Sequence, residues 1–117
     1  MASNYYDVAY ELEKAVRESN EYQTLKKLYD DVNSDKMAKQ LFDQFRDLQM
    51  DIQQKQMSGI EITQEEMEHA QQQVALVQKH ELIAKLMEAE QRMSMVIGEL
   101  NRIIMKPLDD LYGPMQP

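Results

Sequence analysis

The 117-residue sequence contains no cysteine, and it has only three glycines, three prolines and two phenylalanines. Without cysteine, this chain by itself cannot form disulfides, iron–sulfur clusters or thiolate zinc sites. The scarcity of glycine and proline leaves few positions at which a regular helix must end. These absences exclude a disulfide-stapled fold and favour long helices.

The chain also lacks the residue patterns on which most catalysis depends. It has two histidines, no G-x-S-x-G elbow and no glycine-rich phosphate loop. The one metal-like pattern is Glu66-x-x-His69, which di-iron bundles use twice, together with two further carboxylates. Glu66 has a better explanation as a helix cap, and His69 lies more than about 90° from the apolar stripe of its helix. We therefore predict no enzyme, no metal and no cofactor, with a carboxylate-bridged metal enzyme on Glu66 and His69 as an unfavoured alternative.

Basic residues are outnumbered, with 13 lysines and arginines against 21 acidic residues and a net charge of −8. This balance argues against a nucleic acid or an anionic membrane as the main partner. The apolar runs are far shorter than the roughly 20 residues that cross a bilayer, and the N-terminal segment resembles no secretion signal. We expect a cytoplasmic protein that binds neither membranes nor nucleic acids directly.

The residues that are abundant, Glu, Gln, Lys, Leu, Met and Ala, are those of long helices. Periodicity and capping residues predict a single all-α domain over 1–117, an antiparallel bundle of about four to five helices with long C-terminal helices. The predicted helices span 5–18, 21–33, 35–57, 64–78 and 82–106, and residues 107–117 are predicted to form an irregular tail.

The strongest helix start lies at Thr63, which forms a T-x-x-E capping box with Glu66 after the Ser58-Gly59 stop. The short connection predicts that the third and fourth helices pack antiparallel. Near residues 78–81 the apolar stripe rotates as if one residue had been inserted. The helix either breaks there or stays straight and changes partners, and we favour a kink or short break.

The segment Leu82–Lys106 has two apolar sides when it is drawn as a helix. One side is predicted to face the core and consists of Leu82, Leu86, Ala89, Met93, Val96, Leu100 and Ile103. The residues on roughly the opposite side are predicted to contact a second copy of the chain; they are Ala84, Met87, Ser94, Met95 and Gly98. Because one helix with two apolar sides needs two partners, the sequence predicts a homo-oligomer, a dimer or higher.

Four stretches carry a family resemblance: F-x-x-F-R at 42–46, QQKQMSG at 53–59, LMEAEQ at 86–91 and LNRII-x-x-PL at 100–108. On these the chain resembles the YlbF/YmcA family of small bacterial helical proteins, in its YheA-like branch. The resemblance implies an all-helical homo-oligomer. It also implies relatives that act with a partner protein as accessory factors of the endoribonuclease RNase Y, in competence, sporulation and biofilm formation.

These observations lead to one hypothesis and one main alternative about function. The hypothesis is a non-enzymatic helical interaction or regulatory protein that self-associates, with another protein as its candidate partner. The alternative is an accessory factor of RNase Y-dependent RNA processing. The resemblance also implies that the complex of RNase Y accessory factors binds iron–sulfur clusters through cysteines. This chain has no cysteine, so cluster binding cannot carry over to it.

Overall fold

A computed structural model describes residues 4–113, which form five α-helices and no strand. The helices are α1 (Tyr5–Glu18), α2 (Asn20–Ser34), α3 (Lys36–Met57), α4 (Gln64–Lys79) and α5 (Glu81–Tyr112). The predicted all-α class with a long C-terminal helix is confirmed. None of the five described helices has both the length and the apolar character that a bilayer crossing requires.

The first three helices each begin at a polar side chain that accepts a hydrogen bond from a backbone N–H of the first turn. Asn4, Ser19 and Asp35 are these caps. Such caps satisfy backbone donors that a helix start otherwise leaves unpaired. Because Ser19 and Asp35 are each a single residue between two helices, the chain turns there at a corner and not through a loop.

The connection between α3 and α4 follows its sequence pattern closely. Gly59 adopts a positive φ of 72° after the end of α3, a conformation that costs glycine little. The hydroxyl of Thr63 accepts from the Glu66 N–H while the Glu66 carboxylate accepts from the Thr63 N–H, which completes the capping box. Lys55 near the end of α3 forms an ion pair with Glu66 in the first turn of α4. The two helices therefore run antiparallel.

The helix breaks at His80, between α4 and α5. His80 has an extended backbone with φ −84° and ψ 108°, and its N–H donates to the Val77 carbonyl. On one continuous helix Val77 and Ile83 would point about 120° apart. The break turns both side chains into the same core, where both are fully buried. This is the physical reason for the shift in the apolar stripe.

The core lies at one end of the molecule, where α2, α3, α4 and α5 meet. Its buried residues are Val32, Ala38, Phe42, Phe45, Val77, Ile83 and Leu86. No residue of α1 is buried, and α1 approaches only α2 closely. The chain therefore builds its core from four helices and leaves the first one outside it.

The predicted core side of α5 is correct only in the first half of the helix. Leu86, Ala89 and Met93 are buried as expected. Ile83, which was not on the predicted stripe, is also buried, because the break at His80 sets the direction in which α5 enters the core. Ile103, the last residue of the predicted stripe, is 63% exposed. The second half of α5 has run past the helices that form the core.

The irregular tail predicted from residue 107 is wrong for residues 107–112, which continue α5, while 114–117 lie outside the described residues. Pro107 lacks the N–H that would bond to the carbonyl four residues earlier. That carbonyl belongs to Ile103 on an exposed part of the helix, where water can replace the missing donor. The helix ends instead at Gly113, which has φ 79° and donates its N–H to the Asp109 carbonyl.

Replacing Ile83 tests whether the core sits where these helices meet. We expect Ile83→Ala to lower the free energy of unfolding by about 2–5 kcal/mol, because the deletion leaves a cavity among fully buried side chains. Ile60→Ala is the matched control: Ile60 is exposed in the α3–α4 connection, and its loss should cost less than about 0.5 kcal/mol. Urea unfolding curves measure both, and equal costs would contradict this placement of the core.

Candidate interaction surface

The second half of α5 extends beyond the helices that pack on its first half. Its 32 residues span about 48 Å, whereas the 15 residues of α2, which lies antiparallel along it, span about 22 Å. Large apolar side chains are exposed along this half, residues 97–112: Ile97, Ile103, Ile104, Met105, Leu108, Leu111 and Tyr112. Neighbouring exposed apolar residues of this kind mark interaction surfaces more often than singly scattered ones do.

The molecule exposes more surface than a compact monomer of its mass. Its accessible area is 9852 Å², whereas about 6,600 Å² is typical for a compact chain of 13.8 kDa. Its radius of gyration is 18.7 Å, against about 13 Å for a compact domain of this length. The seven residues outside the described range account for at most about 1,200 Å² of the area. An excess of about 2,000 Å² therefore belongs to the described helices.

An apolar groove separates α1 from the second half of α5. Its walls are Ala9, Leu12 and Val16 on α1 and Ile97, Leu100 and Ile104 on α5, with Tyr22 of α2 between them. The groove has a volume of about 400 Å³ and is open to solvent. The polar residues on its walls, Glu13, Arg17 and Asn101, include an ion pair, because Arg17 donates to Glu13 at 2.8 Å. We call this surface the α1–α5 groove.

The residues predicted to form an oligomer contact divide into two groups. Ser94, Met95 and Gly98 are exposed on the side of α5 opposite the groove, and no atom lies within 4 Å of the position that a Cβ on Gly98 would take. Ala84 and Met87 are half-buried, and Met87 packs against the core of its own chain. Whether this side of α5 contacts a second copy stays a prediction.

The Glu66 and His69 pair does not come together as a site. Glu66 accepts hydrogen bonds from Thr63 and from the Lys55 ammonium, whereas His69 is exposed beside Asp51 in a shallow polar groove between α3 and α4. Across residues 4–113, no group of three or more histidine, aspartate or glutamate side chains is arranged to hold a metal ion. His80, the other histidine, lies at the break between α4 and α5. Neither His69 nor His80 is part of a metal-binding group within residues 4–113.

The family model described as control of competence regulator ComK, YlbF/YmcA, matches residues 5–109. The chain belongs to the YlbF/YmcA family. A UPF0342 protein of Bacillus velezensis is 67% identical over 116 residues, which cover 99% of this chain and 100% of the relative. The UPF0342 protein YheA of Bacillus subtilis is 65% identical over 116 residues, 99% of each chain. The resemblance seen in the sequence, including its YheA-like branch, is confirmed.

Two solved structures share the fold of this YlbF/YmcA family member. A protein of unknown function (DUF964) from Bacillus stearothermophilus aligns with a TM-score of 0.84 and 41% identity, covering 95% of this chain and 97% of the other. YheA from Bacillus subtilis aligns with a TM-score of 0.74 and 55% identity, covering 94% and 100%. The five-helix fold is therefore shared along nearly the whole length, and neither structure's name states an activity.

The ion pair at the start of α4 makes stability depend on pH. Hydrogen bonds from the Lys55 ammonium and from Thr63 lower the pKa of Glu66 from 4.5 to about 2. A carboxylate whose pKa is lowered by folding stabilises the fold above its unfolded pKa, and the stabilisation is lost as the pH falls. We expect wild type to be more stable than Glu66→Gln at pH 6, and the difference to shrink between pH 4.5 and pH 2.

Urea unfolding at a series of pH values measures this difference. Glutamine can still accept from the Thr63 N–H, so Glu66→Gln removes the charge and keeps the capping box. Glu65→Gln, in the same first turn but outside the hydrogen bonds of Thr63 and Lys55, is the control and should show a smaller change with pH. A Glu66→Gln difference that stays constant from pH 6 to pH 2 would refute the assignment.

Proposed function

We propose that this protein is a non-catalytic interaction module that self-associates through the second half of α5. The observation that carries the proposal is the excess of exposed surface together with the run of exposed apolar side chains on that half. An apolar side of a helix needs another element to cover it. The chain's own helices cover the first half of α5 only, and a further copy of the chain can supply the missing cover.

The size of the uncovered area suits a dimer. Each copy exposes about 2,000 Å² more than a compact monomer after the allowance for the terminal residues, so a pair could bury about 4,000 Å². Obligate homodimers typically bury about 2,000–5,000 Å² in total. We infer that association is part of the stable state of this protein and not a weak encounter.

The family supports a regulatory role over a catalytic one. The description of the matching family model refers to control of the competence regulator ComK. Control of a regulator is work that a binding protein can do through its surface, without an active site. We infer the same kind of role here, in which the associated protein binds a second protein and changes its activity.

Sedimentation equilibrium at micromolar concentrations tests the self-association. We expect an average mass of at least twice the chain mass of 13.8 kDa, because the second half of α5 has no other cover within residues 4–113. The association should persist in 0.5 M salt, since burial of apolar surface is not screened as ion pairs are. A single species of 13.8 kDa over the whole concentration range would refute the proposal.

A second candidate is an accessory role in RNase Y-dependent RNA processing, which family membership over residues 5–109 favours. Affinity capture of the tagged chain from its native cells, followed by mass spectrometry, tests it. If this candidate is correct, RNase Y or its accessory proteins should be enriched over a capture with an unrelated tagged protein of similar charge. Their absence from the captured material would count against this candidate and would leave self-association unaffected.

A further inference from the structure

We infer that the second copy is seated in the α1–α5 groove, so that α1 and the second half of α5 from two copies form a four-helix bundle. This inference rests on the proposed self-association and adds which side of α5 is used. It also gives α1 a role: the helix belongs to the interface between copies and not to the core of one chain.

Helix α1 has an apolar side that no part of residues 4–113 buries. Val8, Leu12 and Val16 lie on one side of this 14-residue helix, yet none is buried, and α1 packs closely only on α2. A helix of this length is marginal in water by itself, and helices in proteins gain most of their stability by packing an apolar side. The apolar side of α1 faces the groove and lacks a partner there in the single chain.

The apolar side of α5 that enters the core continues along the helix into the α1–α5 groove. Leu86 and Met93, which are buried, and Ile97 and Ile104, which are exposed, lie within about 40° of one another around the helix. The side of α5 that enters the core therefore continues as one apolar line beyond the core. In the first half α2, α3 and α4 cover this line, whereas in the second half it forms a wall of the α1–α5 groove.

A second copy of the chain suits the groove as its occupant. Two layers of two helices, each apolar on its inner side, close into a bundle when they face each other, and a two-fold axis lets one surface meet itself. The charged residues that line the groove are the Glu13–Arg17 ion pair on α1, which carries both signs, whereas the only polar residue on the α5 wall is the uncharged Asn101. An identical surface can therefore approach without facing charges of one sign only.

The opposite side of α5 is less suited to the main contact. Met95 and Gly98 lie there in a shallow groove with Glu21, Arg92, Glu99 and Arg102 along it. Burying that side would desolvate several charged groups for a small apolar area. The α1–α5 groove offers six apolar side chains on two helices, so a second copy covers more apolar surface at a smaller desolvation cost.

Four matched substitutions to glutamate separate the two sides. Leu12→Glu and Ile104→Glu change the groove walls, on α1 and α5 respectively. Tyr10→Glu lies on the outer side of α1 and Met95→Glu on the opposite side of α5. Ile104 and Met95 are 62% and 67% exposed, so neither change disturbs the core of the single chain. We expect the two groove variants to weaken association about 100-fold or more, because an unpaired charge would be buried between copies.

Sedimentation equilibrium measures association, and circular dichroism measures helix content in the same samples. The inference predicts that both groove variants move to 13.8 kDa with their helix content retained, while Tyr10→Glu and Met95→Glu stay associated. Association that survives Ile104→Glu, or that is lost with Met95→Glu, would overturn it. If Leu12→Glu loses helix content, the pair Ile104→Glu and Met95→Glu decides alone. A wild type that is monomeric would refute the proposed self-association together with the groove. A wild type that associates but is insensitive to Ile104→Glu would refute the groove alone.

Discussion

The length of α5 relative to its partners is the constraint on which the rest of this structure depends. Three helices, α2, α3 and α4, pack on its first half and bury Ile83 and Leu86 completely. Beyond Met93 the same apolar line continues through Ile97 and Ile104, which are exposed in the α1–α5 groove. The helices of residues 4–113 thus complete one hydrophobic core and leave the apolar line beyond it largely open. The elongated shape and the large exposed area follow from this mismatch.

The corners of the chain decide which side chains share the core. Single residues separate three of the four pairs of successive helices: Ser19 between α1 and α2, Asp35 between α2 and α3, and His80 between α4 and α5. The backbone conformation of that one residue sets the direction in which the next helix starts. At His80 that change brings Val77 and Ile83 into the same cluster. The Ser19 corner sends α1 away from the core and places it beside α5, where the two helices form the walls of the α1–α5 groove.

Glu66, the carboxylate of the metal-like sequence pattern, has a structural task, since it caps α4 and pairs with Lys55. Exposed apolar side chains occur on every helix, and on α1 and α5 they line one groove between the two helices. In this YlbF/YmcA family member, four helices form a packed core, and the α1–α5 groove stays open beside it.

The sequence by itself determined the class of fold, the helix start at Thr63, and the buried residues Leu86 and Met93, because caps and periodicity act within one or two turns of a helix. It did not predict that Ile83 is buried, that α5 continues past Pro107 or that α1 stays outside the core. Those features depend on the angle at which each helix leaves a corner and on how far its neighbours reach. These angles and the reach of each helix take effect only when all five helices are placed together. The tertiary structure alone therefore decided these three features.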